Sequence, residues 1–322
     1  MRSMIIGHRH TPVDDALSSM AYVDFSLYAK PTNAFDFDSI KYVYAFGDSY
    51  SFVQGTAGYP GFNFIGDALD PSFTPQELLS SEIVGRNTSS EGSNWLEFLT
   101  GCFEGPPSQC QKQLWDFAFA GADIDGTILP RHADFVLQLV EQVNQWVQFA
   151  SNVTPHPENE TLVAWWIGIN DTGDSMGNVS ITDVTAFWEK EMDSYFNAVQ
   201  LAHDNGLKSH LFINVPPEDR SAFWVGRANA GDLRSRIQSF NQILAEYKER
   251  FAECNPDATI FAFDANAWFN NMLDNPGRFG FTNVTGSCTC PDPEGYFWYN
   301  SGHPTEKVHR LLAEAIEAQL RS

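Results

Sequence analysis

Positive charge is scarce in this chain of 322 residues: 19 lysines and arginines face 41 aspartates and glutamates, for a formal charge of −22. Holding nucleic-acid phosphates takes clustered basic side chains, so no nucleic-acid partner is expected. Anionic membrane surfaces and polyanionic substrates are disfavoured for the same reason. No run of about 18 apolar residues occurs, which excludes a transmembrane helix and membrane insertion. The N-terminal stretch MRSMIIGHRHTPVDDALSS also lacks an apolar run long enough for a signal peptide. A leader cleaved beforehand, an incomplete gene boundary and an intracellular protein each fit that observation. No glycine-rich phosphate loop with its lysine is present, which speaks against nucleotide binding. Cysteines number five, so at least one thiol is unpaired within a monomer. Cys288 and Cys290 lack a second cysteine pair at zinc-finger spacing, so no structural zinc is expected there.

What the chain does have is apolar and aromatic material, 43% and 14% of residues, enough for a sizeable core. Cys102 and Cys110 bracket a short loop. Six N-x-S/T sequons begin at Asn87, Asn152, Asn159, Asn170, Asn178 and Asn283. With the acidic charge, these features favour an oxidising, extracellular setting. The first 38 residues show no sustained periodicity and read as an N-terminal arm. From residue 39 to 322, strand-like runs alternate with helical patterns in what reads as one domain with long loop insertions. The strand candidates are Lys41–Phe46, Leu114–Phe119, Leu162–Ile169, Leu211–Val215 and Thr259–Phe263, apolar on both faces as buried parallel strands are. Apolar stripes of helical period run from Phe135 to Val147, Val184 to Val199, Leu233 to Phe251 and Val308 to Leu320. The alternation predicts a three-layer α/β/α fold on a five-stranded parallel sheet.

In an open parallel sheet, ligands bind beyond the carboxyl ends of the strands. The first strand exits into Phe46-Gly47-Asp48-Ser49-Tyr50-Ser51 and the second into Ala118-Phe119-Ala120-Gly121-Ala122-Asp123. The third exits into Gly168-Ile169-Asn170-Asp171, and Asn300-Ser301-Gly302-His303-Pro304-Thr305 precedes the last helical stripe. These four blocks (G-D-S, G-A, G-x-N-D and H-P-T), in that order across most of the chain, resemble the SGNH (GDSL-type) hydrolases. The resemblance implies their flavodoxin-like fold and an ester hydrolase that needs no cofactor. The aromatic texture around the blocks (YAFGDSY, DFAFAGA, WWIGIND, FWYNSGHPT) is most similar to fungal carbohydrate esterase family 16, whose members are acetylesterases.

Ester hydrolysis requires a nucleophile, a base within hydrogen-bond reach and donors aimed at the oxygen that becomes negative. Ser49 is the expected nucleophile, helped by a helix dipole if the next segment is helical. In isolation it would read as a helix N-cap. Gly121 suits a tight turn whose N–H approaches the substrate. Asn170 would add a side-chain donor, unless its sequon carries a sugar. Removing one such donor costs about 10²–10³ in turnover. His303 is the expected base, with Pro304 as the first helical residue and the helix N-terminus keeping the ring neutral. His203, His210 and His309 read as surface or packing residues. The family places an aspartate three residues before the histidine, and here that orienting position is Asn300. A Ser–His dyad, rescue by Asp292 or Glu294, and loss of activity are the possible consequences.

The expected activity is an acetylesterase acting on plant cell-wall sugars. Its partner would be an acetylated oligosaccharide or another small ester. Trp165 and Trp166 are expected in the core, whereas Trp298 and Tyr299 could stack on a sugar. Competing readings are a lipase or phospholipase acting on longer acyl chains and a non-catalytic glycan-binding protein on the same scaffold.

Overall fold

The computed structural model describes residues 35–322. Its strands are β1 (Tyr42–Gly47), β2 (Ala57–Gly58), β3 (Ile65–Gly66), β4 (Gln113–Asp116), β5 (Thr161–Trp166), β6 (Ser209–Ile213), β7 (Thr259–Phe263), β8 (Asn283–Ser287) and β9 (Tyr296–Trp298). The α-helices are α1 (Pro75–Ser80), α2 (Trp95–Thr100), α3 (Leu139–Gln145), α4 (Ile169–Asp174), α5 (Val184–Asp204), α6 (Ala230–Cys254), α7 (Ala265–Asp274) and α8 (Glu306–Leu320). Five strands form one parallel sheet in the order β4-β1-β5-β6-β7. β2 with β3 and β8 with β9 make two small separate pairs.

Alternation along β5 explains the layers. Successive strand side chains point to opposite faces, so neighbouring tryptophans serve different helices. Trp165 meets Tyr195 of α5, while Trp166 meets Trp95 of α2 and Phe269 of α7. Helices α3, α5 and α6 pack together on the first face, and α2 packs on α8 on the other. All six residues of β5 are buried, as a central strand covered on both sides requires. This is the three-layer α/β/α arrangement that the sequence pattern predicts. The strand order reverses between β1 and β5, and in such sheets the crevice at that switch point receives the ligand.

Several boundaries differ from expectation. The strand expected over Leu114–Phe119 stops at Asp116, whose buried carboxylate accepts from the amides of Val53 (2.8 Å) and Ala118 (2.9 Å). The strand expected to reach Ile169 stops at Trp166, because Gly168 turns with φ +110° to start α4. The stripe expected from Phe135 becomes helical only at Leu139, then widens into a π-helical turn over Trp146–Ala150. Phe135 instead stacks on Tyr59, with ring centroids 4.3 Å apart. Residues 1–34 of the expected arm lie outside the described residues. Residues 35–38 pack on the body: Phe35 meets Phe261, Phe37 is 2% exposed, and Arg321 pairs with Asp38 at 2.5 Å. Disulfides join Cys102 to Cys110 and Cys288 to Cys290, leaving Cys254 free and exposed.

Candidate active site

The last residue of β1, Gly47, is glycine for a steric reason. A Cβ there would lie 2.1 Å from the Trp166 carbonyl oxygen of the neighbouring strand. The chain then turns tightly, with the Ser51 and Phe52 amides both donating to the Asp48 carbonyl at 3.1 Å. This turn presents Ser49, half-buried, at the sheet's carboxyl edge. No helix follows, so the dipole expected behind Ser49 is absent.

Ser49 Oγ lies 2.8 Å from His303 Nε2, and His303 Nδ1 lies 2.9 Å from Asn300 Oδ1. The amide orientation at Asn300 is fixed by its surroundings. The same Oδ1 accepts from the backbone N–H groups of Gly302 (3.0 Å) and His303 (2.9 Å), so the atom facing the ring is oxygen. Nδ1 must then carry the hydrogen, which leaves Nε2 free to accept from the serine hydroxyl. Burial lowers the His303 pKa to about 4, with no neighbouring charge opposing the shift.

The helix expected at Pro304 starts later. Thr305 is the N-cap of α8, and Pro304 is bridged to Trp298 in extended conformation. His303 thus stands outside the first turn, and desolvation rather than the dipole keeps it neutral. The expected rescuers Asp292 and Glu294 are exposed; the Glu294 N–H donates to Asp292 Oδ1, and the Glu294 carbonyl accepts from Lys307. Neither is among the partners of His303.

Gly121 occupies a 119–122 turn closed by Ala122 N–H to the Phe119 carbonyl (3.1 Å), with φ +85°. Only glycine adopts that conformation without strain. Neither the Ser49 nor the Gly121 amide donates to a protein acceptor among the described residues. Asn170, at the start of α4, donates one amide hydrogen to the Ala122 carbonyl at 2.8 Å, tying its loop to that of Gly121. Its second hydrogen has no partner among the described residues. The sequon's Thr172 is fully buried with its hydroxyl on Ile169, a poor setting for a glycan. Trp165, Trp166, Trp298 and Tyr299 are all buried, the last at 8% exposure. The loop pair therefore offers no stacking platform. His203 and His210 form a buried hydrogen-bonded pair, and His309 is buried with its pKa lowered to about 3, so all three are packing residues and none is on the surface.

Sequence reasoning passed over Tyr50 and Glu218. The Tyr50 hydroxyl contacts both the Glu218 carboxyl and the Gly302 carbonyl, within the loop that carries His303. A hydroxyl has one hydrogen and a carbonyl has none. A protonated Glu218 satisfies both contacts, donating to Tyr50 while Tyr50 donates to Gly302. Burial agrees, raising Glu218 to about 8. Glu218 follows the exit of β6, so the strand-exit rule, carried one strand further, would have found it.

The sequence profile described as "GDSL-like Lipase/Acylhydrolase" matches residues 43–316. An acetylesterase of Thermothelomyces thermophilus is 29% identical over 297 residues, covering 89% of this chain and 90% of that protein. An acetylesterase of Hypocrea jecorina is 22% identical over 342 residues, covering 90% of each. Among solved structures, an acetylxylan esterase mutant from Geobacillus stearothermophilus aligns over 87% of this chain and 94% of its own, at 13% identity and a TM-score of 0.45.

Proposed function

The chain belongs to the GDSL-like lipase/acylhydrolase family and is a carboxylic ester hydrolase, and from that premise we propose a secreted serine acetylesterase acting on acetylated carbohydrates, with plant cell-wall xylo-oligosaccharides as substrates. The observation that carries this reading is the unbroken chain from Ser49 Oγ through His303 to Asn300, with 2.8 and 2.9 Å links.

In the proposed cycle His303 Nε2 takes the serine proton as Oγ attacks the acetyl carbonyl. The Ser49 and Gly121 amides and the spare Asn170 hydrogen stabilise the tetrahedral oxyanion. His303 returns the proton to the departing sugar hydroxyl, leaving an acetyl-serine. Water, activated by the same ring, releases acetate and restores the enzyme. Asn300 orients the ring without carrying charge, so the catalytic unit is a Ser–His dyad with an amide support. The two acetylesterases, matched along nearly their whole lengths, support the acetyl preference. No described helix is long and apolar enough to cross a membrane.

The test compares hydrolysis of acetyl, butyryl and longer aryl esters, and of acetylated xylo-oligosaccharides, by the wild type and Ser49→Ala. The expected result is turnover confined to acetyl esters and abolished by the substitution. Preference for long chains would make the protein a lipase. Sugar binding without turnover would make it a glycan-binding protein.

A further inference from the structure

We propose that Asp123, His132 and Asp174 form a binding site for one divalent transition-metal ion of the zinc or manganese class. The three are scattered in the sequence and converge only in the fold, where each offers a ligand atom within 4.8 Å of the others. An acidic cluster alone is no site, but Asp123 adds a separate observation. It is fully buried, and neither of its carboxylate oxygens has a hydrogen-bond partner among the described residues.

Neither protonation state relieves that position. An ionised Asp123 lacks a donor, and a protonated one lacks an acceptor, so either form carries the desolvation cost of an unsatisfied polar group. Its buried neighbours are further carboxyls. Asp48, Asp171 and Glu191 are also fully buried, and each has at least one unpartnered carboxylate oxygen. A cation supplies the missing partner.

The donor set selects the ion. One imidazole nitrogen with two carboxylate oxygens suits zinc or manganese, whereas calcium and magnesium favour oxygen alone. Ligand atoms around a tetrahedral zinc ion lie about 3.4 Å apart, so binding would draw Asp123 closer by up to about 1.4 Å and open the direct His132–Asp174 contact. His132 and Asp174 contact each other and are both partly exposed, while Asp123 lies buried on the inner side.

The position matters for the neighbouring active site. Asp123 lies two residues after Gly121, and a Cβ on Gly121 would meet His132 Nδ1 at 3.5 Å. Asp174 ends α4, the helix that opens with Ile169 and Asn170. A bound ion clips together the two loops that carry Gly121 and Asn170, and it takes no part in the bond-breaking itself.

The experiment uses the tag-free chain, dialysed against a chelator and titrated calorimetrically with zinc and then manganese chloride. We expect one equivalent of one of these ions per chain, with a raised melting temperature. Asp123→Asn and His132→Gln should each weaken binding by about ten-fold or more. His132 is 39% exposed, so its variant keeps the test open if Asp123→Asn misfolds. Ser49→Ala should bind as the wild type does, which separates this site from the hydrolytic reading. Absence of saturable binding by either ion, or unchanged affinity in the folded variants, would overturn the proposal.

Discussion

At the residue scale, Asn300 decides how His303 behaves. Replacing the aspartate of a catalytic triad by asparagine is costly when the amide turns its nitrogen to the ring and imposes the wrong tautomer. Here two backbone donors pin the amide oxygen toward Nδ1, so the tautomer is right and only the charge is missing. Burial depresses the pKa to about 4, and no neighbouring charge offsets it. The base form then persists in acid, and kcat/KM should hold its plateau down toward that value. Asn300→Asp should raise the acidic limb of the pH–rate profile toward the ordinary histidine range. A charge-assisted hydrogen bond contributes about 1.5–3 kcal/mol, so turnover should rise roughly 10- to 100-fold. A pH–rate profile that does not move would mean that position 300 does not govern the ring.

At the scale of elements, the proposed chemistry sits at strand exits, and the start of α4 is tightly constrained. Gly168 caps that helix at φ +110°, and a Cβ there would meet the buried Phe240 ring at 2.3 Å and Val215 at 2.8 Å. Gly168→Ala therefore adds backbone strain of about 1–3 kcal/mol to a steric collision of similar size. Thermal melts should show a lowered midpoint. Turnover should fall further than stability explains, because Asn170 lies two residues on. Trimming the obstacle in Gly168→Ala/Phe240→Leu should recover part of both losses, and independent, additive effects would refute the steric account.

The same neighbourhood shows what the sequence made legible. β7 matches its expected bounds, and the core strands and long helices α5 and α6 are found where their apolar patterns put them, because periodicity reports burial directly. Ends are governed by single events that periodicity does not register: a buried aspartate capping amides after β4, a positive-φ glycine before α4, an extended proline before α8. Ser49, His303 and Asn300 were readable because each sits in a short motif at a strand exit or ahead of a helix. Tyr50, Glu218 and the Asp123–His132–Asp174 cluster depend on contacts between distant loops, which local patterns do not encode.

For the whole molecule, the excess of acid extends from the surface into the interior. Burial raises Asp48, Glu97 and Glu218 to about 8, and Asp116 well above its usual range. A carboxyl whose folded pKa is raised contributes stability in full below its unfolded value of about 4, and that contribution is lost as pH rises through the folded value. The buried histidines act in the opposite sense, because His303 and His309 are depressed to about 4 and 3 and so disfavour folding only in acid. Well above about pH 6.5 the buried His303 and His309 are neutral in both states, and the slope is set by the carboxyls together with His132, whose pKa the hydrogen bond to Asp174 raises and which acts in the same direction. Each one that stays protonated in the fold lowers stability by about 1.4 kcal/mol per pH unit up to its folded pKa. Scanning calorimetry should therefore show the melting temperature falling from about pH 6.5 to 8. Glu218→Gln removes one of these protons while keeping a donor for Tyr50, so its curve should fall less steeply. A melting temperature that rises over this range would show that these acids are ionised in the native interior.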